Sequence, residues 1–147
     1  MIEKIYTVEA DVSFRVFEFE SVGKYGVIRK VVRYDETNVK GVYNLGFGDI
    51  DLKSGRINDL VVSDNGDMEV VLATVASTLS QFIKHHPDAL VAARGSTAAR
   101  TRLYRQGISK YLGEIEKDFE VFGFKDGEWQ TFRKNVTFEA FMVRRKS

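Results

Sequence analysis

The chain has 147 residues, with 22 Lys and Arg against 21 Asp and Glu, no Cys and one Pro. Zero Cys excludes a disulfide framework, thiol catalysis and thiolate metal sites, and the near-neutral charge means that any nucleic acid or membrane must be met by a local patch. A hydrophobic content of 44%, with 11 Phe and 6 Tyr, supports one packed domain over residues 1–147.

The first half reads as strands. Phe14 to Glu20 and Gly26 to Tyr34 are rich in β-branched and aromatic residues. Val39 to Phe47 is a third run, which places Tyr43, Leu45 and Phe47 on one face. Lys53-Ser-Gly55 reads as a turn, so Arg56 to Val62 is expected to form a further strand.

The period then changes. Met68, Leu72, Val75, Leu79 and Phe82 recur at three and four residues, which predicts a helix over 68–85. Asp64-Asn-Gly-Asp67 supplies its start, and Pro87 ends it just after His85 and His86. Ala89 to Ala93 is a short buried strand. Gly95-Ser-Thr97 opens a second helix over 97–112, with Ala99, Leu103, Tyr104, Ile108 and Tyr111/Leu112 as its apolar face. Phe119 to Phe124, a Lys125-Asp-Gly127 turn and Trp129 to Phe132 form a hairpin, and Phe138 to Val143 a last strand. The sum is an α+β domain. A mainly antiparallel sheet carries two amphipathic helices on one face, with Leu72, Val75, Leu79, Phe82, Leu103 and Tyr111 inward. The crossover between strands through the first helix implies one parallel pair.

The strongest local feature is Arg94 to Arg105. Arg94, Arg100, Arg102, Arg105 and Lys110 fall in a stretch without a carboxylate. Gly95 lets backbone approach a ligand closely, and Ser96 or Thr97 caps a helix whose free N–H groups favour an anion. Arg100 lies one turn into that helix and offers a planar clamp for phosphate. The expected ligand-binding set is Arg94, Gly95, Ser96, Thr97, Arg100, Arg102 and Arg105. The competing explanation is structural: Arg sits readily on solvated helix faces, and Arg100 can pair internally with Asp49 or Asp51. The spacing is not that of a P-loop.

Other candidates are weaker. Asp49, Asp51, Asp59, Asp64, Asp67 and Glu69 form an acidic segment; Asp49 and Asp51 share a face and are the candidates for a hard cation. His85 and His86 diverge by about 100° on a helix, which argues against joint metal ligation. Together with Tyr104 they are the candidates for proton transfer. No cofactor is expected.

Asn65-Gly-Asp67, Leu72-Ala-Thr-Val75, His86-Pro87, Tyr43-Asn-Leu-Gly-Phe-Gly-Asp49 and above all Gly95-Ser-Thr-Ala-Ala-Arg-Thr-Arg-Leu-Tyr104 resemble a bacterial domain-of-unknown-function family of small, stand-alone proteins. That likeness covers nearly the whole chain and implies no particular activity. A fainter likeness is to acyl-CoA-dependent N-acetyltransferases, through Leu103-Tyr104 followed by Gly107-Ile108. It implies a distant, degenerate relation of fold: Thr97 stands where that family has Asn, and residues 64–70 lack its pyrophosphate loop.

The leading functional expectation is an intracellular protein that binds a phosphate-bearing ligand, RNA or a nucleotide, through the Arg cluster. The enzyme alternative is ribonuclease-like phosphodiester cleavage, with Arg100 or Arg105 stabilising charge and Tyr104 or a His moving a proton. The third is a homo-oligomeric interaction protein that pairs the acidic and basic segments between subunits. No apolar run reaches the roughly 20 residues of a membrane span, so the expected setting is cytoplasmic, away from membranes.

Overall fold

In the computed structural model, residues 4–50, 57–58, 65–95 and 97–146 are described. The expected turn at 53–55 and most of the strand over 56–62 lie outside them.

The strands run β1 (Glu9–Ala10), β2 (Val16–Gly23), β3 (Gly26–Glu36), β4 (Val42–Ile50), β5 (Ile57–Asn58), β6 (Leu90–Ala93), β7 (Phe119–Lys125), β8 (Glu128–Thr131) and β9 (Ala140–Arg145). Helix α1 (Met68–His85) separates β5 from β6, and α2 (Ala98–Asp118) separates β6 from β7. All strands belong to one sheet, in the order β1-β2-β3-β4-β6-β9-β7-β8, with β5 paired to β4. Among the described residues every pairing is antiparallel except β4 with β6, where the chain returns through α1.

Turn chemistry sets the registers. In the β2–β3 hairpin Gly23 faces Gly26, and Gly26 adopts φ +85°. In the β7–β8 hairpin Lys125 faces Glu128 across Asp126 (φ 53°) and Gly127 (φ 78°). Two successive positive φ values match the twist of the flanking strands, and Asp-Gly tolerates them.

Both helices cover the same face. Val32, Tyr34 and Lys30 of β3 lie opposite Phe47, Leu45 and Asp49 of β4, so period-two alternation places all six on one side. The Tyr34 phenol reaches Thr78 of α1 at 2.8 Å, and the Arg100 guanidinium of α2 lies over the Phe47 ring. Thr78 donates to the Val75 carbonyl, which leaves its oxygen to accept from Tyr34. Burial pushes the Tyr34 phenol well above its ordinary range, so it stays a neutral donor. Val75, Leu79 and Phe82 of α1 and Leu103 of α2 are buried in one core with Phe17, Phe19 and Phe47.

Helix α2 differs from the sequence reading at both ends: Ala99, expected on its apolar face, is exposed. Helix α2 continues past Leu112 to Asp118, with non-helical dihedrals at Tyr111 (φ −106°, ψ 17°) just before Gly113. Ile115, beyond the irregularity, still packs on the core, which favours the extra turns. Tyr111 is only half-buried, and its phenol donates to the Glu69 carbonyl at the start of α1.

The start of α1 is built differently from a simple cap. Asp67 occupies the cap position without a capping bond. Its Oδ2 instead accepts from the Tyr6 and Ser21 hydroxyls at 2.5 and 2.6 Å. Burial and the hydrogen bond to this carboxylate hold the Tyr6 phenol above its usual pKa. Asn65, fully buried, accepts from the Tyr25 N–H and donates to the Gly26 carbonyl, so it grips the tip of the β2–β3 hairpin. A Cβ on Gly23 would sit 1.8 Å from the Asn65 carbonyl oxygen, which explains glycine there.

Candidate functional site

Strand β6 delivers the chain to Gly95, and α2 begins three residues later. Gly95 is pressed against the first turn: a Cβ would lie 2.3 Å from the Thr101 amide and 2.5 Å from the Arg100 Cβ. Thr97 is the cap residue, with extended dihedrals (φ −136°, ψ 165°). Its Oγ1 accepts from the Arg100 N–H, and its carbonyl accepts from the Thr101 N–H. The cap therefore satisfies one of the first four helical donors. Ser96 lies outside the described residues.

The arginines do not converge on one point. Arg94 and Arg102 face solvent, and Arg105 is half-exposed. Arg105 donates through Nη1 to Thr137 Oγ1 at 3.2 Å. Arg100 turns inward and is only 2% exposed. Helical side chains lean back toward the N-terminus, so its guanidinium runs toward the open end of α2.

That guanidinium packs into the core beside a second buried cation. Its Cζ lies 4.8 Å from the centroid of the Phe47 ring. Lys30, also 2% exposed, places Nζ 5.9 Å from the same centroid. Lys30 is paired with Asp49 at 2.5 Å. Asp49 is therefore committed to Lys30, and Arg100 has no carboxylate partner among the described residues. Arg100 Nη2 is buried without a hydrogen-bond partner among the described residues. A desolvated cation–π contact is worth about 2 kcal/mol, whereas an uncompensated buried charge costs several kcal/mol. The ring alone does not offset the burial of Arg100.

A second feature opens on the solvent side of α2. A groove of about 570 Å³ lies between Arg105, Gln106 and Ser109 of α2 and Lys134, Asn135 and Thr137 of the β8–β9 loop. Lys110 also lines it and is ion-paired with Glu69. The loop is anchored from below by Phe132 and Phe138, both buried, with ring centroids 5.5 Å apart. Sequence reading did not identify Lys30, Phe47, Lys134, Asn135 or Thr137 as neighbours of the arginines.

The remaining candidates sit elsewhere. Tyr104 is buried and lines an apolar cavity of about 90 Å³ between the helices and the sheet, with Leu72, Leu79, Gly107, Ile108 and Met142. His85 stacks on Phe14, with centroids 3.6 Å apart, and its Nδ1 donates to the Gln81 carbonyl. His86 stacks on Phe82, and its Nε2 donates to the Ser13 carbonyl at 2.8 Å. Both rings tie the 13–14 turn to the end of α1. Asp51 lies outside the described residues, and no group of three or more His, Asp or Glu suited to a metal ion occurs among the described ones. No helix among them is long and apolar enough to cross a membrane.

Neither the curated proteins nor the solved structures contain a match to this chain. A family model does match, over residues 2–146. That span takes in the clip at Asn65 and Asp67, the Gly95–Thr97 helix start and the groove, so the chain that builds them belongs to DUF6934, a family of unknown function.

Proposed function

We propose that this protein is an intracellular binding protein for a phosphate-bearing ligand, held at the start of α2 with Arg100 as its principal cation. The observation that carries the reading is the guanidinium of Arg100, buried and with Nη2 unpartnered among the described residues. Buried charges in folded proteins are paired, and two buried cations here share one described carboxylate, Asp49. An anionic ligand supplies the missing charge. Guanidinium binds phosphate through parallel N–H donors, and the adjoining helix end adds its own uncapped N–H groups. RNA and nucleotides are the carriers of phosphate that the exposed Arg94 and Arg102 and the half-exposed Arg105 suit.

Binding is favoured over cleavage. A cleaving enzyme needs a proton-transfer group within hydrogen-bond reach of the scissile phosphate. Tyr104 belongs to an apolar cavity wall, and both histidines hold the far end of α1. The acidic and basic segments also meet inside one chain, at Glu69 and Lys110, rather than needing a second subunit for that pair.

Thermal melts in rising inorganic phosphate, pyrophosphate, nucleotide and RNA test this directly. A ligand present at a hundred times its Kd stabilises the fold by about 2.7 kcal/mol, so the wild-type melting temperature should climb with concentration. The Arg100→Gln protein should fold and show at most a small climb. A wild-type melting temperature indifferent to all four ligands would end the phosphate reading.

A further inference from the structure

The groove beside α2 carries the ligand class further. Arg102 lies three and four residues before Arg105 and Gln106, and Ser109 four and three after them, so the four form one stripe along the helix. From Thr97 to Ser109 the helix rises about 18 Å, longer than one nucleotide can span. Across the groove, Lys134 and Asn135 are exposed, and Asn135 is held at φ 65°. Among the described residues, Arg102, Arg105 and Lys134 have no carboxylate at ion-pair distance. The lining sets Arg105, Lys110 and Lys134 beside the neutral hydrogen-bonding groups of Gln106, Ser109, Asn135 and Thr137, and it contains no aromatic ring.

Each part of that lining selects a chemistry. Cations spaced along a stripe suit a run of phosphates rather than one. Amides and hydroxyls between them suit sugar hydroxyls, which donate and accept. The lack of a ring removes the usual platform for base stacking. The buried anchors Phe132 and Phe138 hold the loop in place before any ligand arrives, which lowers the ordering cost of binding. We infer that the groove between α2 and the β8–β9 loop binds the sugar–phosphate backbone of RNA, continuing the Arg100 site into a path for several linked phosphates. The inference rests on the phosphate reading above and adds the polymer, the ribose and the second wall of the site.

The experiment compares a twelve-nucleotide single-stranded RNA, the DNA of matching sequence and inorganic pyrophosphate, across a salt series. The proteins are wild type, Arg105→Ala, Lys134→Ala and Arg100→Gln. Wild type should bind RNA more tightly than DNA, with affinity falling as salt rises. Arg105→Ala and Lys134→Ala should each weaken RNA binding by about five- to tenfold and flatten its salt slope by about one contact, while pyrophosphate binding stays unchanged in Lys134→Ala. Lys134 is exposed and has no structural bond among the described residues, so its variant separates binding from folding. Pyrophosphate binding lost only in Arg100→Gln, with RNA and DNA bound equally or with the groove variants unaltered, would overturn the groove inference and spare the phosphate site. Failure of pyrophosphate and RNA alike to bind wild type would overturn both.

Discussion

Phe82→Ala should destabilise the fold by about 3–5 kcal/mol, a large share of the roughly 5–15 kcal/mol that holds a domain together. Phe82 is fully buried. Its ring stacks on Tyr34 at 4.3 Å between centroids, meets the edge of Tyr43 at 5.0 Å and lies 4.7 Å from His86. It thus joins α1 to β3 and β4 and holds the end of the helix at once. Truncation removes transfer free energy and leaves a cavity that three rigid rings cannot fill by collapse. The urea midpoint should fall accordingly. An unchanged midpoint would mean that α1 does not dock on the sheet through this face.

Gly123→Ala should destabilise the fold too, for the opposite reason. A Cβ at this β7 position would stand 2.3 to 2.6 Å from three ring atoms of Phe138. Phe138 is 1% exposed and lies between Phe132 and Phe141, with centroids 5.5 and 6.4 Å away. The ring must be displaced, and overpacking of this kind costs about 1–3 kcal/mol or more. Phe138 also anchors the loop that carries Lys134, Asn135 and Thr137, so the proposed RNA binding should weaken with stability. Phe138→Leu in the same chain opens space for the new methyl. The double variant should be more stable than the sum of the two single changes requires, a coupling expected of residues in direct contact. Strict additivity in denaturation would contradict the packing described for this corner.

The fold was legible because its elements announce their periods. The stripe of Leu72, Val75, Leu79 and Phe82, the Asp126-Gly127 turn and the break at Pro87 are local signals, and each corresponds to an observed boundary within a few residues. The end of α2 was not legible, because Gly113 reads as a stop while the packing of Ile115 carries the helix past it. The neighbourhood of Arg100 was half legible. Arg100 stands three and four residues before Leu103 and Tyr104, a spacing that shares their buried side, although the expected apolar face began at Ala99. Lys30 likewise alternates with Val32 and Tyr34, which turns it inward. Those signals are weak beside the charge itself, which ordinarily marks a solvated position. The meeting of Lys30, Phe47 and Arg100 depends on the register of β3 with β4 and on the parallel return through α1. The groove depends on the β8–β9 loop, more than twenty residues further along the chain from Arg105. Contacts at such separation leave no mark in a local pattern.

The central claim is that Arg100 is buried for a ligand and not for the fold. The most direct test is the urea midpoint of Arg100→Met measured without ligand. Met keeps the apolar stem over Phe47 and removes the charge. A buried cation without a carboxylate destabilises the protein that holds it, so the midpoint should stay level or rise. A fall equivalent to about 3–5 kcal/mol would contradict the claim, because breaking an internal ion pair leaves its carboxylate stranded in the core.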